Sequence, residues 1–152
     1  VASLVGFEPV GVVELRLFKL MRWSLRCGVA AFMPESVRRR SARRLHQPLL
    51  ADKTAMAVLL QAQRGHPIKI PPLPVFTDDQ LQSITAPVRV LAGADSAAFD
   101  AERLVDRINT VTPQGQSRVL PEAGHALTDG KFDDCLAVIR QTIAESEDYS
   151  QR

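Results

Sequence analysis

Two short apolar runs, each closed by a glycine and a chemically active side chain, constrain this chain more than any other feature. Ala86-Pro87-Val88-Arg89-Val90-Leu91-Ala92-Gly93-Ala94-Asp95 reads as a buried parallel strand that ends in glycine and then an acid. Further on, Ser117-Arg118-Val119-Leu120 runs into Pro121-Glu122-Ala123-Gly124-His125, where a general base would sit. The interval between them has helical character. A strand, a crossover helix and a second parallel strand take roughly 30 residues, and parallel neighbours lie about 4.8 Å apart. The spacing therefore predicts that Asp95 and His125 emerge side by side at the C-terminal edge of a sheet, the edge at which open α/β sheets hold their ligands.

In this order, the acid and the histidine resemble the C-terminal part of the α/β-hydrolase superfamily, in which a sharp-turn serine comes first, the acid second and the histidine last. The resemblance extends to Val75-Phe76-Thr77-Asp78-Asp79-Gln80-Leu81 before the strand and Phe99-Asp100-Ala101-Glu102 after it. It also takes in the opening Val1-Ala2-Ser3-Leu4-Val5-Gly6-Phe7-Glu8-Pro9, which in similar proteins is the strand after the nucleophile's helix. Gly-x-Ser-x-Gly occurs nowhere in the 152 residues, and the first residue is not Met. The expectation is a fragment whose N-terminal, nucleophile-bearing half lies elsewhere.

The resemblance implies an α/β fold: a partial hydrolase core at 1–10 and 75–146, a helical cap at 11–74 and a frayed tail at 147–152. It implies hydrolysis of a small carboxylic ester or similar acyl compound by nucleophilic serine catalysis, without a cofactor. In that chemistry an imidazole takes the nucleophile's proton and a carboxylate fixes the imidazole's tautomer. His125 takes the first role and Asp95 the second. Similar proteins usually carry Asp or Glu three residues after the strand-terminal glycine, where this chain has Ser96, so Asp95 is displaced by one. Glu8, at the end of the first strand, is the alternative acid. The competing function is a non-catalytic or regulatory chain that keeps the scaffold without the nucleophile.

Composition narrows the partners. The net charge of +2 is too small to suggest nucleic acid by itself. Five arginines, Arg38, Arg39, Arg40, Arg43 and Arg44, crowd one stretch, but the aromatics that single-strand binding needs lie outside it. An unpaired buried charge is costly, so these arginines are expected on the solvated face of the cap. Cys27 and Cys135 form no C-x-x-C pattern, and His46 and His66 have no partner at ligand spacing, so neither a disulfide framework nor a metal site is indicated. A reducing cytoplasm fits that cysteine usage. The uncharged apolar run Cys27 to Pro34 is far below the roughly 18 residues that span a bilayer.

Local signals complete the reading. Val1 to Gly6 is apolar enough for a strand buried on both faces, and Val12 to about Phe32 has helical apolar spacing. On that helix Met21 and Trp23, with Met33 just beyond, are expected to pack. Pro34-Glu35-Ser36 breaks it before a second helix to Leu45, and a third spans Asp52 to Gln63. Four prolines between Gly65 and Pro74 predict an extended return. Thr77-Asp78-Asp79-Gln80 matches a capping box, and Asp100 caps the helix that carries Leu104, Val105 and Ile108. A last helix from Lys131 to Glu145 puts Phe132, Cys135, Leu136, Ile139 and Ile143 on one face.

Overall fold

The computed structural model describes residues 3–65 and 74–150. Strands β1 (Leu4–Phe7), β2 (Val88–Gly93) and β3 (Gly115–Leu120) form a parallel sheet in the order β1-β2-β3. Phe7 lies opposite Leu91 and Gly93 opposite Leu120, so the three strands end at one edge. Side chains alternate across a strand. On β2, Val88, Val90 and Ala92 therefore enter one core with Leu104 and Ile108 of helix α5 (Ala101–Val111). Leu91 enters the other, with Leu120, Leu127, Cys135 and Val138. Those partners come from β3, the short helix α6 (Leu127–Gly130) and helix α7 (Phe132–Ser150). Thus α5 covers one face of the sheet and α7 the other. The β2-α5-β3 unit is the crossover that the spacing predicts.

The first strand differs from expectation. Leu4 and Val5 are exposed, because β1 is an edge of this sheet and nothing among the described residues pairs with its outer side.

Between β1 and β2 the chain inserts helices α1 (Leu17–Ala31), α2 (Glu35–Arg44) and α3 (Lys53–Gly65), with a 3-10 turn at Pro48–Ala51. Ala30, Ala42, Leu50 and Met56 form their own small core. Helix α1 starts later than the periodicity predicts because Val12 and Val13 are buried in the sheet core, in non-helical backbone. Its faces also differ: Leu20 and Trp23 turn inward, while Phe18, Met21, Leu25 and Phe32 just past its end are exposed. Met33 is exposed as well, so Met21 and Met33 do not pack.

Four of the five clustered arginines are exposed as expected, but Arg38 is buried. Helical periodicity puts Arg38 on the face of Ala42, which points into the insertion's core. Its Nη2 has no hydrogen-bond partner among the described residues.

Local signals fared well where backbone chemistry decides. The Thr77 capping box forms at helix α4 (Asp78–Gln82), and Asp100 accepts from the Arg103 amide. The last helix is longer than expected, continuing to Ser150. Its buried face is Cys135, Val138 and Thr142, which leaves Phe132 and Ile143 exposed. Most of the proline-rich return, 66–73, lies outside the described residues, as do the last two residues of the tail.

The two ends of the insertion are tied together. The Phe76 amide donates to the Gly11 carbonyl at 2.8 Å, and Gly11 sits at φ +92 with its α-carbon against the Phe76 ring. Arg107 on α5 closes the junction: its guanidinium donates to the carbonyls of Val12 and Phe76 and to the Asp78 carboxylate. One side chain thus anchors entry, exit and the following helix. Hydrogen bonds from charged groups contribute about 1.5–3 kcal/mol each at most. Arg107→Ala is expected to lower unfolding stability by about 2 kcal/mol or more, read as a lower urea midpoint. An unchanged midpoint would show that the junction holds without the clamp.

Cys27 and Cys135 are free thiols. Burial pushes the Cys27 thiol up to about 11 from its usual 9.0, and burial followed by the nearby Asp134 charge raises Cys135. Since the thiolate is the nucleophile, both are expected to stay protonated and slow at pH 8. Iodoacetamide should label Cys27 about 100-fold more slowly in the native chain than in urea, the ratio of thiolate fractions implied by that shift. Equal rates would contradict this burial.

Candidate active site

The edge where the strands end is organised around Glu8. This residue directly follows β1 and takes φ 49, a left-handed conformation that turns its side chain across the end of β2. Such backbone costs of order 1–3 kcal/mol for a non-glycine residue and persists only where surroundings fix it. Here they do. One carboxylate oxygen, Oε1, accepts from the Gly93 amide at 3.0 Å. The other accepts from Ser96 Oγ at 2.9 Å and from the Nδ1 of His125. The Glu8 side chain is 2% exposed, and that of His125 37%.

Glycine at 93 is a packing requirement. A Cβ there would stand 2.5 Å from the carbonyl oxygens of Ala123 and Gly124, in the loop that presents His125. The absent side chain lets that loop lie over the end of β2, which brings the imidazole within reach of a carboxylate from β1. Gly124 is equally constrained: a Cβ would meet the Cβ and carbonyl oxygen of His46 at 2.7 Å. The insertion therefore rests directly on the histidine loop. Trp23 from α1 meets the His125 ring edge-on, with centroids 6.4 Å apart, and Phe99 lies tilted at 6.1 Å.

Asp95, the acid expected to orient His125, is not its partner. After Gly93 the chain turns at once, with the Ser96 amide bonded to the Gly93 carbonyl and the Asp95 amide to that of Ala123. That turn directs Asp95 outward to the insertion, where its carboxylate lies 3.3 Å from Nε2 of His46. Ser96 turns inward, is fully buried, and also accepts from the amides of Ala98 and Phe99. The carboxylate facing His125 thus comes from the residue just after the strand that precedes the insertion. A strand-end acid followed by Pro9 was the only sequence signal for it.

An ionised carboxylate only accepts hydrogen bonds. The proton of a neutral His125 therefore resides on Nδ1, leaving the Nε2 lone pair free for a proton from another group. That is the chemical capacity of a general base held by an acid. Ser96 cannot serve as the nucleophile, since its hydroxyl is buried and donated to Glu8. Among the described residues no three His, Cys, Asp or Glu side chains gather as metal ligands, and no helix is long and apolar enough to cross a membrane.

No family model and no curated protein matches the chain. Solved structures do. The naproxen esterase of Bacillus subtilis superposes with a TM-score of 0.61 at 18% identity, over 91% of this chain and 50% of that one. The carboxylesterase CesB, also from Bacillus subtilis, gives 0.57 at 15% identity, over 91% and 50%. A thermophilic esterase of Thermogutta terrifontis gives 0.54 at 20% identity, over 95% and 56%. The chain spans about half the length of these structures. Its parallel sheet with flanking helices is the C-terminal part of the α/β-hydrolase fold.

Proposed function

We propose that this chain supplies the acid–base half of a serine-type hydrolase acting on a small carboxylic ester or similar acyl compound. The observation that carries the reading is the pairing of His125 with buried Glu8 at the C-terminal edge of a hydrolase-fold sheet. His125 is the general acid/base, and Glu8 replaces Asp95 as the orienting acid. Nε2 takes the proton of a serine hydroxyl as its oxygen attacks the ester carbonyl, and Glu8 stabilises the imidazolium. The proton then passes to the departing alcohol as the C–O bond breaks, and water repeats the sequence to release the acid. No step calls for a cofactor.

In this proposal the serine comes from a segment N-terminal to Val1 that bears Gly-x-Ser-x-Gly and packs beside β1, whose Leu4 and Val5 are exposed. The helical insertion acts as a cap over the site, and two free thiols suit a reducing cytoplasm.

The test is to express the 152 residues alone and extended by the coding sequence upstream of Val1, then assay nitrophenyl butyrate hydrolysis. The short chain is expected to give no turnover above buffer, and the extended chain to be active. In the extended chain His125→Ala and Glu8→Gln should each lower kcat by about 10³–10⁴-fold, and Asp95→Asn by less than about tenfold. An upstream frame without Gly-x-Ser-x-Gly, or activity that survives His125→Ala, would favour the non-catalytic reading instead. Loss of activity in Asp95→Asn but not in Glu8→Gln would return the acid role to Asp95.

A further inference from the structure

A cleft of about 390 Å³ opens between α1, the end of α2 and the turn after β2. Four cations line it: Lys19, Arg22, Arg26 and Arg44. The only carboxylate on its wall, Asp95, is engaged by His46, and Lys19 is engaged by the Ser96 carbonyl at 2.7 Å. The three guanidinium groups have no carboxylate partner among the described residues. Arg22 and Arg26 stand four apart on one helix, where like charges destabilise it by a few tenths of a kcal/mol. Helix stability therefore does not account for the pair, and an anion between the arginines would relieve it.

The rest of the wall is apolar: Phe18, Trp23, Leu45 and Ala97. Trp23 is fixed there by its Nε1–H donating to the Leu45 carbonyl at 3.1 Å, while its ring meets His125. The cleft and the imidazole thus share one indole. Its volume lies in the range of small-molecule pockets, roughly 300–1,000 Å³. Planar guanidinium groups match carboxylates two bonds at a time.

We propose that this cleft binds a small carboxylate-bearing molecule, its anionic end on Arg22, Arg26 and Arg44 and its apolar body on Trp23 and Phe18. Resting on the hydrolase reading, the ligand is the substrate's remote end, which makes the preferred ester an acidic one.

Binding can be measured without catalysis, because Trp23 is the sole tryptophan of the chain and reports on the cleft. Titration of the 152-residue chain with benzoate is expected to change the tryptophan emission saturably, whereas benzyl alcohol at the same concentrations is not. The double substitution R22Q/R26Q, and R44Q separately, should each weaken benzoate binding at least about tenfold, the loss of roughly one charge-assisted hydrogen bond. R40Q, on α2 outside the cleft, should leave it unchanged. Equal responses to benzyl alcohol, binding of phenyl phosphate without binding of benzoate, or benzoate binding indifferent to the substitutions would overturn the proposal. None of these results depends on whether any form of the protein hydrolyses esters, so a failed cleft and a failed hydrolase reading are separable.

Discussion

A buried carboxylate holds the C-terminal edge of the sheet together. Removing an ion from water costs several kcal/mol unless partners replace the solvent, and Glu8 meets that cost with an amide, a hydroxyl and an imidazole drawn from three places in the chain. The amide closes β2, the hydroxyl follows the turn after it, and the imidazole hangs from the loop after β3. Each bond ties residues more than eighty positions apart. The left-handed backbone at Glu8, the bare Cα of Gly93 and the inward Ser96 all serve that convergence. Three non-glycine residues take positive φ among the described residues: Glu8 at this edge, Glu122 in the loop that carries His125, and His46 in the insertion where it packs on that loop.

What the sequence made legible depended on how local the cause was. The crossover unit was readable because β2 is apolar on both faces, and the caps at Thr77 and Asp100 because they need only neighbours a few residues away. The place of His125 at the sheet edge was readable from its position after a strand and glycine, but the carboxylate that faces it was not. Whether Asp95 or Glu8 faces the imidazole is decided by the turn after Gly93, which sends alternate residues to opposite sides, and no periodicity encodes that turn. The same limit applied to α1, whose apolar residues lie on two faces: Leu20 inward, Met21 and Leu25 outward. Arg38 misled for the opposite reason, since composition spoke for solvent and helical phase for burial.

The insertion joins these themes. Its ends are stapled at Gly11, Phe76 and Arg107, while its body reaches the site through His46 on Gly124, His46 on Asp95 and Trp23 on His125. Asp95, freed of the imidazole, is spent on holding the insertion over the sheet edge. That division of labour separates two neighbouring histidine–carboxylate pairs: one joins His125 to Glu8 at the sheet edge, the other docks the insertion on the turn after β2.

The central claim is that Glu8, not Asp95, fixes the tautomer of His125. Its most direct test is the ring nitrogen spectrum of the three histidines in ¹⁵N-labelled protein, with His125 assigned through His125→Gln. The account predicts a neutral His125 protonated at Nδ1 with Nε2 bare, a pattern unchanged in Asp95→Asn and lost in Glu8→Gln. A His125 protonated at Nε2, or one that shifts with Asp95→Asn and ignores Glu8→Gln, would contradict it.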